Sequence, residues 1–117
     1  MSDELIDCPV AATLEVIGGK WTPLILFHLR DEPKRFNALR RLLPEITQRM
    51  LTLRLRALED DGVVLRTVHQ TVPPHVEYSL TPRGMTLAPI IEAMEKWGAE
   101  RVAQRQTLRF GEVRPAE

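Results

Sequence analysis

The sequence has a single cysteine, few aromatic residues and no long apolar run. Because Cys8 stands alone among 117 residues, no disulfide can form within the chain, and a disulfide needs a second subunit or a small thiol as its partner. No apolar run approaches the roughly 18 residues of a membrane helix. The first four residues read Met-Ser-Asp-Glu, which is acidic where a secretory signal is basic. These absences predict a cytoplasmic protein without membrane contact.

The aromatic residues number only six, so aliphatic side chains must build most of the core. The composition is 44% hydrophobic and 27% charged, which is ordinary for a folded globular protein and excludes a chain disordered throughout. A length of 117 residues suits one compact domain. We therefore expect a single domain over residues 1–105, followed by a C-terminal tail over residues 106–117.

The formal net charge is zero, but the basic residues are concentrated in one stretch. Residues 34–56 contain seven Lys and Arg residues and one acidic residue, Glu45. A local excess of six positive charges on a neutral chain is typical of a surface that contacts nucleic acid. Charge alone leaves a solvated helix surface open as the alternative.

Proline, glycine and threonine divide the first half of the chain into four short helices. Pro9 suits the first position of a helix that ends at Gly18-Gly19, and a second helix runs from about Trp21 to Leu29. Asn37 is predicted to cap a third helix, in which Leu39, Leu42 and Leu43 face inward. Thr47 is predicted to cap a longer fourth helix that ends at Gly62. Two helices joined by so short a turn indicate a helix-turn-helix over residues 37–62.

The pattern then changes from helical to alternating. Val64–His69 and Val76–Leu80 alternate with period two, which predicts a pair of antiparallel strands. The connection over residues 70–74 contains two prolines and is too long for a tight turn. A hairpin directly after a helix-turn-helix is a wing, here over residues 63–81. The fold predicted is mainly α-helical with a small β-hairpin: a winged helix-turn-helix.

The fourth helix has one apolar and one polar face. Placing 3.6 residues per turn on residues 47–61 puts three leucines on one arc, namely Leu51, Leu55 and Leu58. The opposite arc carries donors and acceptors that can read base edges in a major groove, because Arg pairs with guanine and Gln with adenine. We therefore predict base contacts from Gln48, Arg49, Thr52 and Arg56. Leu53 lies at the edge of this face, and Arg54 lies inside the apolar arc.

Basic and polar residues outside this helix are predicted to position the protein on DNA phosphates. They come from the residues before the third helix, from that helix and from the wing. The predicted phosphate contacts are Lys34, Arg35, Arg40, Arg41, Arg66, His69, Gln70 and His75.

The C-terminal segment is predicted to dimerise. Thr81-Pro82 is a further cap and first-position pair, and Pro89 predicts a break or kink. Beyond it lies an apolar stripe larger than so small a domain covers by itself. We expect a dimerisation helix over residues 82–105, with interface residues Leu87, Ile90, Ile91, Met94 and Trp97.

No constellation in the sequence favours enzymatic chemistry. His28, His69 and His75 are too scattered in sequence for a metal set. The consecutive Asp60 and Asp61 diverge by about 100° on a helix and cannot act as a paired acid and base. No phosphate-binding loop or nucleophile motif is visible. The sequence therefore predicts no catalytic residue, no cofactor and no metal.

Several segments, taken together, resemble the HxlR family of winged-helix regulators. They are Cys8-Pro9-Val10, residues 17–21 (IGGKW), 34–36 (KRF), 46–52 (ITQRMLT), 58–62 (LEDDG) and 73–81 (PPHVEYSLT). The likeness spans about residues 8–98, in order and with matching spacing. It implies a cytoplasmic homodimer that is related in architecture to MarR-type regulators and dimerises through the helices over residues 8–17 and 82–105. It also implies that the protein binds double-stranded DNA and in most cases represses transcription.

The resemblance also implies a role for Cys8, because several members of the family sense oxidants or electrophiles through a cysteine just before the first helix. A sulfur at a helix N-terminus meets free N–H groups and the positive end of the helix dipole, which favours the thiolate. Against this, Asp3, Glu4 and Asp7 place negative charge nearby. A packing role for Cys8 therefore stays open.

Two other functions remain open at this stage. A winged helix can serve as a protein-interaction or assembly module, although such a domain usually lacks a basic reading face. A regulator can also be triggered by a small aromatic ligand bound between the helical tail and the DNA-binding core.

Overall fold

The structure is a computed structural model, and it describes residues 7–109. The elements follow in the order α1 (Pro9–Ile17), α2 (Thr22–Leu29), β1 (Lys34–Arg35), α3 (Phe36–Leu42), α4 (Gln48–Asp60), β2 (Val64–His69), β3 (His75–Leu80), α5 (Pro82–Met85) and α6 (Ala88–Arg109). The three strands form one antiparallel sheet in the order β1-β3-β2. The predicted winged helix-turn-helix is confirmed.

Local sequence signals fix both ends of α4. The Thr47 side chain accepts a hydrogen bond from the backbone N–H of Met50 at 3.0 Å, which satisfies one of the free donors of the first turn. After the last turn Gly62 adopts a φ of +73°, a conformation that costs a residue with a side chain energy. Its N–H donates to the Glu59 carbonyl at 2.9 Å. Both predicted ends are confirmed.

The start of α3 differs from the prediction. Asn37 is not the cap, because the helix begins at Phe36 and Arg35 occupies the N-cap position without a side-chain hydrogen bond. Arg35 is extended because it belongs to β1, which pairs with β3 and which the sequence analysis did not predict. Leu42, predicted to face inward, is 43% exposed, whereas Leu39 and Leu43 are buried.

The wing is a regular hairpin. Strand β2 pairs with β3 from Val64 opposite Leu80 to His69 opposite His75, and residues 70–74 connect them. Val64 and Tyr78 are buried, so one face of the sheet closes the core beside α4, and the alternation of a strand turns the other face outward.

The core is built mainly from aliphatic side chains, as the composition predicts. Leucines from α4 meet residues of α2 and α3 and the valines that begin the wing. The largest fully buried side chains are Ile25, Leu26, Leu39, Leu51, Leu55, Leu58 and Val63. Burial of the three α4 leucines fixes which side of that helix faces outward.

The C-terminal segment contains the predicted break, but ahead of Pro89. Helix α5 is capped by the Thr81 hydroxyl, which accepts from the Gly84 N–H at 3.0 Å. Helix α6 begins at Ala88, so Pro89 lies in its first turn, where a missing N–H removes no helical hydrogen bond. The helix continues to Arg109, beyond the expected boundary at residue 105. The predicted tail residues 110–117 lie outside the described residues.

Within residues 7–109, no single helix combines the length and hydropathy that a membrane span requires. The pair α1 and α2 meets that requirement only when both helices are taken together, and they are bent by 76°.

Candidate nucleic-acid interface

The outward face of α4 carries the side chains predicted to contact bases. Gln48, Arg49 and Arg56 are exposed, and Thr52 is half-buried. The Thr52 hydroxyl donates to the Gln48 carbonyl at 2.9 Å. Its hydroxyl hydrogen is therefore engaged within the helix, while its oxygen can still accept a hydrogen bond. Arg49 and Arg56 lie on the side of α4 opposite its buried leucines, and Gln48 and Thr52 lie on the flank between the two sides.

Two residues of α4 fit neither face. Leu53 is 43% exposed, in keeping with its predicted place at the edge of the polar face. The Arg54 Nε is buried and has no hydrogen-bond partner within residues 7–109. In that part of the chain the Arg54 guanidinium has no carboxylate within 4 Å.

The basic side chains around α4 differ in whether a carboxylate lies close to them. Within the part of the chain that the structure describes, Arg40, Arg41, Arg49 and Arg56 have no carboxylate within 4 Å. The Lys34 ammonium instead lies 3.4 Å from the Glu32 carboxylate, and its side chain is only 18% exposed. The four arginines are available to an anionic partner, whereas Lys34 must first leave its carboxylate.

A cleft of about 450 Å³ separates the outward face of α4 from the wing. It is lined by Thr52, Arg56, Glu59, Asp60, Arg66 and Tyr78. Arg66 therefore faces α4, on the side of the predicted base contacts. The two acidic residues belong to the last turn of α4 and mark the end at which a bound duplex would meet repulsion.

The outer end of the wing brings together residues that are distant in sequence. His69 Nε2 lies 2.6 Å from Glu77 Oε1, and the rings of His69 and His75 stack with their centroids 4.6 Å apart. Burial and then the charge of Arg35 lower the pKa of His75 below its usual value. The histidines are too scattered in sequence to predict a metal set, but the strand register places two of them side by side. No sequence pattern singles out Glu77.

The predicted dimer residues fall into two groups. Ile90, Met94 and Trp97 are exposed, Trp97 at 69%, and Leu87 packs at the edge of the core. Ile91 differs from the expectation, because it is 4% exposed and belongs to the core of the protomer. Helix α6 packs on α2, and Ile91 points into that contact. Arg30, directly after α2, forms an ion pair with Glu95 of α6, with 2.9 Å between Arg30 Nη1 and Glu95 Oε1.

Further exposed apolar side chains lie on α1, where Val10 and Leu14 are more than half exposed. Cys8 immediately precedes this helix, in the N-cap position, and is half-buried. Its carbonyl accepts the Ala12 N–H at 2.9 Å. Asp7 is exposed, whereas Asp3 and Glu4 lie outside the described residues.

Comparison with known proteins gives one consistent family. Residues 16–106 match the HxlR-like helix-turn-helix family. The chain is 59% identical over 97 residues to the uncharacterized HTH-type transcriptional regulator YdeP of Bacillus subtilis, covering 83% of this chain and 76% of that protein. Among solved structures, the redox regulator HypR in its oxidized form is 58% identical with a TM-score of 0.78, over 80% of this chain and 96% of that one. The reduced form of the transcriptional regulator YodB from B. subtilis is 36% identical with a TM-score of 0.69, over 77% and 89% of the two chains.

Proposed function

This chain belongs to the HxlR-like helix-turn-helix family and is a transcriptional regulator of the HxlR/MarR type, not an enzyme, and on that premise we propose that it is a homodimeric repressor of a palindromic operator. In this proposal residues 37–62 are the helix-turn-helix and residues 63–81 the wing. Residues 8–17 and 82–105 dimerise, and the protein acts in the cytoplasm.

The observation that carries the proposal is the outward face of α4. Arg49 and Arg56 are exposed opposite a row of buried leucines, and Gln48 is exposed on the flank beside them. The two arginines have no carboxylate within 4 Å among residues 7–109. An unpaired guanidinium on a helix of this kind can form two hydrogen bonds with a guanine edge. Contacts from Arg35, Arg40, Arg41, Gln70 and the wing histidines to phosphates would set the register.

Homodimerisation is supported by apolar surface that the protomer leaves uncovered. Val10 and Leu14 on α1 and Ile90, Met94 and Trp97 on α6 are exposed, and patches of this kind mark interaction surfaces. A twofold dimer would place two α4 helices about 34–36 Å apart, one turn of DNA, and would therefore require a palindromic site.

Selection of bound sites from a random DNA pool tests the proposal. We expect enrichment of an inverted repeat whose half-sites are separated by one helical turn. The Gln48→Ala/Arg56→Ala double variant, selected in parallel, should enrich no common motif. Recovery of an unrelated set of sequences by the wild-type protein would contradict sequence-specific binding and would favour an interaction module. A fusion of the selected promoter to a reporter, with higher expression after deletion of the regulator, tests repression.

An oxidant is the effector that the relatives favour. HypR is a redox regulator with solved oxidized and reduced forms, and in this chain Cys8 stands at the start of α1, beside the proposed dimer surface. Oxidation of two Cys8 thiols, one from each subunit, to a disulfide would transfer two electrons to diamide and two protons to its hydrazine product. The new bond would join the two α1 helices.

We therefore expect diamide to change operator affinity in the wild-type protein and to leave Cys8→Ser unchanged. A non-reducing gel should show a covalent dimer in the wild-type protein alone. Ala11→Ser, a serine introduced three residues away, is the control for a general effect of the substitution on α1. Identical diamide titrations of wild type and Cys8→Ser would remove the thiol from the mechanism.

A further inference from the structure

The wing carries two imidazoles and a carboxylate on one surface. The register sets His69 directly opposite His75 and Thr67 opposite Glu77. Directly opposed residues share a face of the sheet, and so do residues two apart on a strand. His69, His75 and Glu77 therefore all project from the same face, and each is half-buried.

The ligand atoms of these three side chains are close enough to bind one metal ion after small side-chain movements. One nitrogen from each histidine and one Glu77 oxygen lie within 4.8 Å of one another. A tetrahedral Zn²⁺ with bonds of about 2.0–2.1 Å needs ligand atoms about 3.4 Å apart. Side-chain rotations on strands already paired can supply the difference, because the backbone holds the Cβ atoms in register.

A hydrogen bond also sets the tautomer of His75. The Thr71 hydroxyl lies 2.7 Å from the Pro73 carbonyl and 3.2 Å from His75 Nδ1. The hydroxyl has one hydrogen, and a carbonyl can only accept, so that hydrogen is donated to Pro73. Towards His75 the Thr71 oxygen can then only accept, which requires a hydrogen on Nδ1. The Nε2 lone pair of His75 is left free, as metal-binding histidines require.

We propose that the outer end of the wing binds a divalent transition-metal ion of the zinc class through His69, His75 and Glu77, with solvent as the fourth ligand. Two nitrogens and one oxygen suit zinc better than the oxygen-seeking Mg²⁺. The ion takes the place of the hydrogen between His69 Nε2 and Glu77 Oε1. The neutral imidazole then carries its one hydrogen on Nδ1, so the displaced proton moves there through solvent, and it is released to solvent only where Nδ1 is already protonated. The ion clamps β2 to β3 at the end nearest the loop.

One neighbouring charge opposes the ion. Arg35 lies opposite Glu77 on β1 and therefore on the same face. Its guanidinium competes for the Glu77 carboxylate and repels a cation, so we expect the site to be weaker than a structural zinc site. Arg35→Gln should accordingly bind the ion more tightly than the wild-type chain.

Calorimetric titration of Zn²⁺ into the full-length Cys8→Ser protein, without DNA, tests the proposal. The serine removes the competing thiol. We expect one ion per protomer and at least a tenfold loss of Zn²⁺ affinity in His75→Gln and in Glu77→Gln. His28→Gln is the matched control, because it also removes one of the three histidines, and it should lose no affinity. Mg²⁺ should produce no saturable heat.

A second measurement uses the protein that keeps all three histidines and follows their ring NMR resonances. It does not depend on whether the histidine variants fold. Zn²⁺ should shift the resonances of His69 and His75 and leave those of His28 in place. Equal affinity in Cys8→Ser with and without His75→Gln, or unmoved ring resonances of His69 and His75, would overturn the metal site. Because no DNA is present, neither result bears on operator binding.

Discussion

At the scale of single residues, Gly84 lies where the backbone leaves no room for a side chain. A Cβ at this position would overlap the backbone carbonyl oxygen of Val63, which already accepts the N–H of Thr81 at 3.0 Å. Neither partner is a flexible side-chain end, so the junction between the wing and α5 would have to move. Overpacking of this kind costs about 1–3 kcal/mol.

We expect Gly84→Ala to lower the free energy of unfolding by about 3 kcal/mol, at the upper end of that range. Gly62→Ala is the comparison, because there the new Cβ would be 3.6 Å from Arg83 Cδ, an ordinary contact. Its expected cost is only the left-handed backbone, about 1 kcal/mol. Urea unfolding of both variants measures the difference, and a smaller loss in Gly84→Ala than in Gly62→Ala would contradict this explanation.

Two arginines of the proposed interface should separate reading from positioning. Arg56→Ala should weaken binding to the selected operator by about 1–3 kcal/mol and leave random duplex nearly unchanged. Arg41→Ala should weaken both DNAs alike and reduce the slope of log affinity against log salt by about one. Fluorescence anisotropy at several salt concentrations gives both quantities. Equal losses on the two DNAs for Arg56→Ala would assign it to the phosphates.

Residues whose role is local could be predicted from the sequence, and residues whose role depends on a partner strand could not. Thr47 and Gly62 follow from the conformation of their own helix ends. Asn37 was wrong as a cap because the pairing of β1 with β3 holds Arg35 extended and begins the helix at Phe36. The cluster at Glu77 required the register of β2 on β3.

At the scale of elements, the helical period of α6 predicts an apolar stripe. It does not predict which residues of the stripe pack on other helices and which stay exposed. Only the edge of α6 that contains Ile91 packs on α2, so the stripe divides between the core and the outer surface. Periodicity gives the direction of a side chain relative to its helix axis. What the side chain meets depends on the docking of the whole helix.

Ile91→Ala should therefore lower protomer stability by about 3 kcal/mol, because it removes buried methyl groups and leaves a cavity. Ile90→Ala, the same change at a neighbour that is 38% exposed against 4%, should cost less than half as much. Both are best measured by urea unfolding in a Trp97→Asp background, in which the proposed dimer does not form. Wild-type stability in Ile91→Ala would mean that its burial contributes nothing to the fold.

At the scale of the whole molecule, the two exposed surfaces lie on different elements. The outward face of α4 and the wing carry the proposed DNA contacts, whereas the exposed apolar side chains proposed for the dimer belong to α1 and α6. A protomer can therefore engage a partner copy and DNA with separate surfaces. Both proposed surfaces rest on patterns in the sequence, namely the basic residues concentrated over 34–56 and the periodic apolar stripe after Pro89. Their relative placement depends on how the helices pack.

Trp97→Asp should separate assembly from folding. Trp97 is 69% exposed in the protomer, so a charge there costs the fold little but would be desolvated in a dimer. We expect monomers in analytical ultracentrifugation with wild-type helical circular dichroism, whereas Trp97→Phe, which keeps an aromatic ring, should remain dimeric.

Since binding of the second half-site is intramolecular only within a dimer, the operator affinity of Trp97→Asp should fall at least about a hundredfold. Affinity for an isolated half-site should change much less, because each protomer retains its own α4 and wing. A dimeric Trp97→Asp protein would place the interface elsewhere, and a monomer that binds the full operator as tightly as the wild type would show that one α4 suffices for recognition.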